Sequence, residues 1–102
     1  MSLKKQYLKN KPICKVTFKL SKEAAGSART VHVVGEFNGW DAYRTPMKKL
    51  KDGTFAVTLD LDVGSEYQFR YLIDETVWEN DWNADKYVPG PFGNCENSVV
   101  VV

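Results

Sequence analysis

Three segments of this chain alternate apolar and polar residues with period two, and few folds accommodate that pattern three times. Cys14, Val16, Phe18 and Leu20 share one side of the first, with Lys15, Thr17 and Lys19 on the other. Over residues 54–61 the apolar set is Phe55, Val57, Leu59 and Leu61. Over 66–74 it is Tyr67, Phe69, Tyr71 and Ile73, with Gln68, Arg70 and Leu72 opposite. Side chains alternate across a strand, so each segment reads as a strand with one face in a core. Turn formers separate them. Lys51-Asp52-Gly53 predicts a hairpin, and Val63-Gly64-Ser65 and Asp74-Glu75-Thr76 predict further reversals.

A fourth strand is expected over residues 30–37, with Val31, Val33, Gly35 and Phe37 on one side. Asn38-Gly39 then tolerates positive φ and turns the chain just before Trp40. Short strands are expected at 47–50 and 98–102, and a turn into Val77-Trp78-Glu79. Residues 21–29 and 80–97 read as loops. The sum is about seven antiparallel strands with no convincing helix, an all-β, immunoglobulin-like sandwich of two sheets. Residues 1–12, with Lys4, Lys5, Lys9 and Lys11, read as a solvated basic N-terminal tail, and 13–102 as the domain.

Composition excludes several function classes. A net charge of +1 over 102 residues provides no field that would steer the chain to nucleic acid or an anionic membrane. No apolar run has the length of a signal segment or a membrane span, and a cytoplasmic setting is expected. Two cysteines make no disulfide framework: Cys14 is expected as a buried free thiol and Cys95 in a more exposed loop. One histidine and no Cys-x-x-Cys give no zinc site, and His32 is expected at a surface or edge. The acids Asp74, Glu75, Glu79, Asp81 and Asp85 read as solvated turn formers. The run from Asp81 to Asp85 opens like a calcium loop but has Lys86 and Phe92 where that loop needs Gly and Glu. No nucleophile has a base beside it, so neither catalysis nor a metal or cofactor is expected.

Aromatic side chains are what remains. Trp40, Trp78 and Trp82 all lie in or beside loops rather than in the alternating strands. A pyranose ring has an apolar, weakly positive C–H face that stacks on indole, and a planar polar group such as Arg70 can take its hydroxyls. The alternative is that the indoles seal the ends of the sandwich, and Trp82 in particular is assigned to packing under the long loop.

The stretches Gly35-Glu36-Phe37-Asn38-Gly39-Trp40 and Tyr67-Gln68-Phe69-Arg70-Tyr71-Leu72-Ile73-Asp74, with Trp78, resemble a glycogen-binding domain. The type is that of the AMP-activated protein kinase β subunit and of the N-terminal domains of isoamylases and glycogen branching enzymes, carbohydrate-binding module family 48. Tyr87-Val88-Pro89-Gly90-Pro91-Phe92-Gly93 and Asn97-Ser98-Val99-Val100 extend the similarity to small bacterial proteins made of little more than this domain. The resemblance implies an early-set immunoglobulin-like fold and binding of α-1,4-linked glucan, such as glycogen or a maltooligosaccharide. It also implies that Trp40 and Trp78 stack on sugar, that Arg70 is the basic contact and that Phe92 is the apolar loop residue. The family's sugar-binding Asn falls on Glu96, and its neighbour Asn97 is expected as the sugar contact. A glycogen-metabolising enzyme or another protein is the other class of partner. A protein-interaction module could use the same sandwich through an edge strand or the Trp cluster. Competition by soluble maltooligosaccharide separates the two readings.

Overall fold

The computed structural model describes residues 3–90 and 96–102. Among the described residues nine strands, more than the alternation alone predicts, build two antiparallel sheets. They are β1 (Leu3–Tyr7), β2 (Ile13–Leu20), β3 (Val31–Gly35), β4 (Lys48–Lys49), β5 (Phe55–Asp62), β6 (Glu66–Ile73), β7 (Val77–Glu79), β8 (Lys86–Pro89) and β9 (Glu96–Val101). One sheet runs β1-β2-β5-β4; the other runs β3-β6-β9-β8, with β7 also paired to β6. One helical turn, Lys22–Ala25, follows β2, its first turn capped by Ser21 Oγ accepting from the Ala24 N–H at 3.2 Å.

The alternating segments behave as their pattern requires. Cys14, Val16, Phe18 and Leu20 are buried against Val31, Val33, Phe69, Tyr71, Ile73 and Val100 of the other sheet. Phe18 and Phe69 meet edge to face at 5.0 Å between centroids, and Phe69 meets Tyr71 likewise at 5.7 Å. Gly35 is required by close approach. A Cβ there would come within 2.5 Å of the Gln68 carbonyl oxygen and 2.7 Å of Phe69 Cβ, both fixed in the neighbouring strand.

Three expectations are corrected. The described part of the basic tail is a strand: β1 pairs with β2 from Leu3 opposite Phe18 to Tyr7 opposite Cys14, and Leu3 enters the core. The segment expected to be irregular from 80 to 97 contains β8, paired to β9 from Lys86 opposite Val99 to Pro89 opposite Glu96. And β3 ends at Gly35, where a single 3-10 turn, Glu36–Asn38, takes over. Cys14 is a buried free thiol, whereas Cys95 and Phe92 lie outside the described residues.

Candidate carbohydrate-binding face

β3 and most of β9 in the second sheet are buried on both sides, and Arg70 and Trp78 lie on that sheet's outer side. Register fixes which side chains share it. His32 of β3 is opposite Leu72 of β6, and Leu72 is opposite Trp78 of β7. Val34 is opposite Arg70, Gln68 opposite Val99, and Asn97 opposite Val88. Because Phe69, Tyr71 and Ile73 face the core, these partners face outward. His32, Val34, Leu72 and Val99 are nonetheless buried, so a thin apolar floor lies beneath whatever this face carries.

Trp78 stands on that floor with 47% of its surface exposed, fixed by a tight turn. Asp74 (φ 49°) and Glu75 (φ 63°) are both left-handed, and the Thr76 N–H donates to the Ile73 carbonyl at 3.1 Å. Two successive positive φ values define the turn whose twist matches a hairpin, so β7 returns in register and Trp78 lands beside Leu72. Asp74 also accepts from the Arg29 and Thr30 N–H groups, at 2.7 and 3.0 Å. Those bonds, Thr30's first, hold its carboxyl below the ordinary value.

Trp40 reaches its position through Asn38. The buried Asn38 side chain accepts from the Gly35 N–H at 3.0 Å, and its amide donates to the Val33 carbonyl and to Thr45 Oγ1. These bonds wrap the loop around a polar plug. The Trp40 N–H then returns to the Gly35 carbonyl at 2.9 Å with Trp40 at φ 60°, and 41% of the residue stays exposed. Trp40 thus sits in a left-handed backbone conformation at a strand end, outside the core cluster.

Arg70 lies on the outer side of β6 with its guanidinium oriented. Nε and Nη2 donate to the Glu96 carbonyl at 3.1 and 2.7 Å, and Asn80 Nδ2 donates to the same oxygen at 2.9 Å. Among the described residues no carboxylate pairs with it. Asn97 is only 6% exposed and donates its amide to Gln68 Oε1 at 3.0 Å, so it belongs to the floor and orients Gln68.

Sequence reasoning missed Tyr43, which is 65% exposed. Its ring meets His32 edge-on at 6.0 Å, and its N–H donates to Asp41 Oδ1 at 2.9 Å. An Asp two residues ahead of an aromatic in a loop was the available signal. His32 lies on β3, an edge strand of its sheet, but is buried rather than at the surface, with Nδ1 unpartnered among the described residues. The loop of residues 40–46 covers it, bridging through Pro46.

Two more assignments change. Trp82 is 56% exposed, so it does not pack under a loop. Asp81, expected as a solvated turn former, is buried: its Oδ2 accepts from the Tyr71 hydroxyl at 2.7 Å, its Oδ1 from the Asn83 N–H, its carbonyl from the Tyr87 hydroxyl, and its own N–H donates to Ser98 Oγ. Burial, with the Asp81 carboxylate beside it, drives the Tyr71 phenol well above its usual pKa. Among the described residues no three His, Cys, Asp or Glu side chains gather as a metal site, and no helix is long and apolar enough to cross a membrane.

Residues 14–88 match the family described as carbohydrate-binding module 48, the isoamylase N-terminal domain. Over 46 residues the chain is 46% identical to a protein of Photobacterium profundum, the 1,4-alpha-glucan branching enzyme GlgB. That alignment takes in 44% of this chain and 6% of the enzyme's length.

Proposed function

The chain belongs to the carbohydrate-binding module 48 family, and on that premise we propose that its outer face holds an α-1,4-linked glucan by stacking, without catalysing a reaction on it. Trp40 and Trp78 are the stacking platforms, Arg70 donates to sugar hydroxyls, and Asn97 positions Gln68. The name of the matched relative specifies 1,4-alpha-glucan, and the same polymer is proposed here. What supports the reading is that Trp40 and Trp78 are each more than two-fifths exposed and outside the core cluster, and that Arg70, with its guanidinium oriented by the Glu96 carbonyl, has no carboxylate partner among the described residues. Phe92 is proposed as a further apolar contact on the strength of the family resemblance alone. The non-catalytic reading is supported by the acids: Asp81 is tied to Tyr71 and Asp74 to backbone N–H groups, whereas glycoside hydrolysis needs a pair of carboxylates flanking the sugar bond.

An open platform leaves each sugar half wet, so affinity for one oligosaccharide falls in the micromolar to millimolar range, on the order of 4–8 kcal/mol. Retention on glycogen in native gels, competed by maltoheptaose, tests the reading. Trp40→Ala and Trp78→Ala each abolish retention while leaving the thermal midpoint within about 2 °C of the parent, because neither indole belongs to the core. A parent chain that maltoheptaose neither binds nor displaces, with both variants unfolded, would mean that the indoles are structural and that the interaction-module reading holds.

A further inference from the structure

Trp82 is more exposed than either proposed stacking tryptophan, yet it lies away from the outer face. It lines a cavity of about 310 Å³ at one end of the sandwich. The other walls include Leu50, Asp52 and Thr54 of the β4–β5 hairpin, Lys19 near the end of β2, and Asn83. Ligand pockets begin near this volume, roughly 300 Å³. A second cavity of about 600 Å³ shares Lys19 and Asn83 with it, so the groove continues towards β1.

Both walls are rigid. Trp82 is set between Asp81, bonded to Tyr71 and Ser98, and Asn83, whose N–H donates to Asp81 Oδ1 at 2.8 Å. On the other side the Leu50 N–H donates to the Thr54 carbonyl at 2.7 Å, the Gly53 N–H to the Leu50 carbonyl at 3.0 Å, and the Thr54 N–H to Asp52 Oδ1 at 2.9 Å. The indole is therefore exposed on a backbone tied down on both sides, which lowers the ordering cost of stacking on it.

The chemistry of the walls selects the ligand. Trp82 and the exposed Leu50 offer apolar surface. Asp52 is held ionised at neutral pH by the Thr54 N–H and offers an acceptor, and Lys19 and Asn83 offer donors. Asp52 balances Lys19 in the Trp82 cavity, and in the continuation towards β1 Lys5 is paired with Asp85, which leaves Lys4 as a single surplus charge and little basis for selecting an ion. A neutral ring with an apolar face and a rim of hydroxyls satisfies every group present.

We propose that this groove is a second saccharide subsite, in which a pyranose unit of an α-glucan stacks on Trp82 independently of the Trp40–Trp78 face. Only the identity of the sugar rests on the reading of that face; the groove does not. With ligand sites on two faces, one molecule bridges two glucan chains, and its retention on a branched polymer exceeds what either site provides.

The test is a titration of the intact chain with maltoheptaose, followed by the indole N–H resonances of all three tryptophans. Trp82 and the Asn83 amide shift in the parent and continue to shift in the Trp40→Ala/Trp78→Ala double variant. Trp82→Ala, its fold checked by circular dichroism, loses this second event and retains the first. Asn83→Ala, whose side chain makes none of the described hydrogen bonds, weakens the second event by about two- to tenfold, one hydrogen bond's worth. Shifts at Trp40 and Trp78 with Trp82 unmoved at saturation overturn the second subsite and leave the proposed function standing. Shifts at Trp82 alone reverse that outcome, and shifts at none overturn both.

Discussion

Asp81 and Tyr71 show how one buried pair is written into local chemistry that alternation cannot report. Tyr71 occupies a core position of β6, and its hydroxyl reaches the buried carboxylate of Asp81. A phenol in apolar surroundings requires a partner, and a buried carboxylate requires donors. Tyr71→Phe removes the donor to Asp81 Oδ2 and should cost about 1–3 kcal/mol in urea unfolding at neutral pH. Linkage gives a second signature. The folded pKa of Tyr71 lies well above the ordinary 10.0, so the native state retains the proton where the unfolded chain releases it. The stability this represents is complete below about pH 10 and is lost as pH rises through the folded value. The parent should therefore weaken more steeply above pH 10 than Tyr71→Phe, and parallel curves would place the stabilisation elsewhere. The residues that alternate, such as Val16 and Phe69, were legible in the sequence because one property, apolarity, decides their side of the sheet. Asp81 was not, because its burial depends on a tyrosine ten residues away in sequence. His32 misled for a related reason: β3 faces a core on one side and a covered floor on the other, and alternation reports only the first.

At the scale of the element, the β6–β7 hairpin delivers Trp78 to the face, and its turn combines two opposed demands. Asp74 and Glu75 both adopt positive φ, a region that costs an L-residue roughly 1–2 kcal/mol. Glu75 is exposed, and no hydrogen bond of its side chain is described. Glu75→Gly should therefore stabilise by up to about 1 kcal/mol, the relief of strain less glycine's larger loss of freedom. Asp74→Gly should do the opposite despite the same backbone relief, since it deletes the acceptor of the Arg29 and Thr30 N–H groups. The folded pKa of Asp74 lies below the ordinary 3.8. Its contribution is present above that value and is lost as pH falls through the folded one. Asp74→Asn should flatten the acid limb of the stability curve between about pH 4 and lower pH, and a limb unchanged from the parent would show that these bonds contribute nothing. The hairpin was legible as a turn, but its register was not. Sequence marks where a chain reverses more clearly than which residues face each other, and register is what puts Trp78 opposite Leu72.

Across the whole molecule, the two sheets present two different surfaces, and β1 helps to join them. The strand extends the first sheet by five residue pairs and buries Leu3 in the core. Lys5 of β1 pairs with Asp85 at 2.6 Å, and Asp85 in turn accepts from the Val101 N–H of the second sheet at 2.7 Å. The lysine-rich composition of residues 1–12 concealed this role, because a charged edge strand and a solvated tail carry the same residues. The difference lies in Leu3 and in what it packs against. Burying a leucine contributes roughly 1.5–3 kcal/mol, and a partly exposed ion pair adds about 0–1 kcal/mol. Deleting residues 1–7 should therefore lower the unfolding free energy by about 2–4 kcal/mol, read as a fall in the urea midpoint with little change in slope. Because β1 lies in the first sheet and the proposed stacking face is on the second, the shortened chain, assayed at a temperature where it remains folded, should be retained on glycogen as the parent is. An unchanged midpoint would return residues 1–12 to the status of a tail. A retained midpoint combined with lost glycogen binding would be stranger still, since it would mean that the first sheet, not the second, carries the principal site.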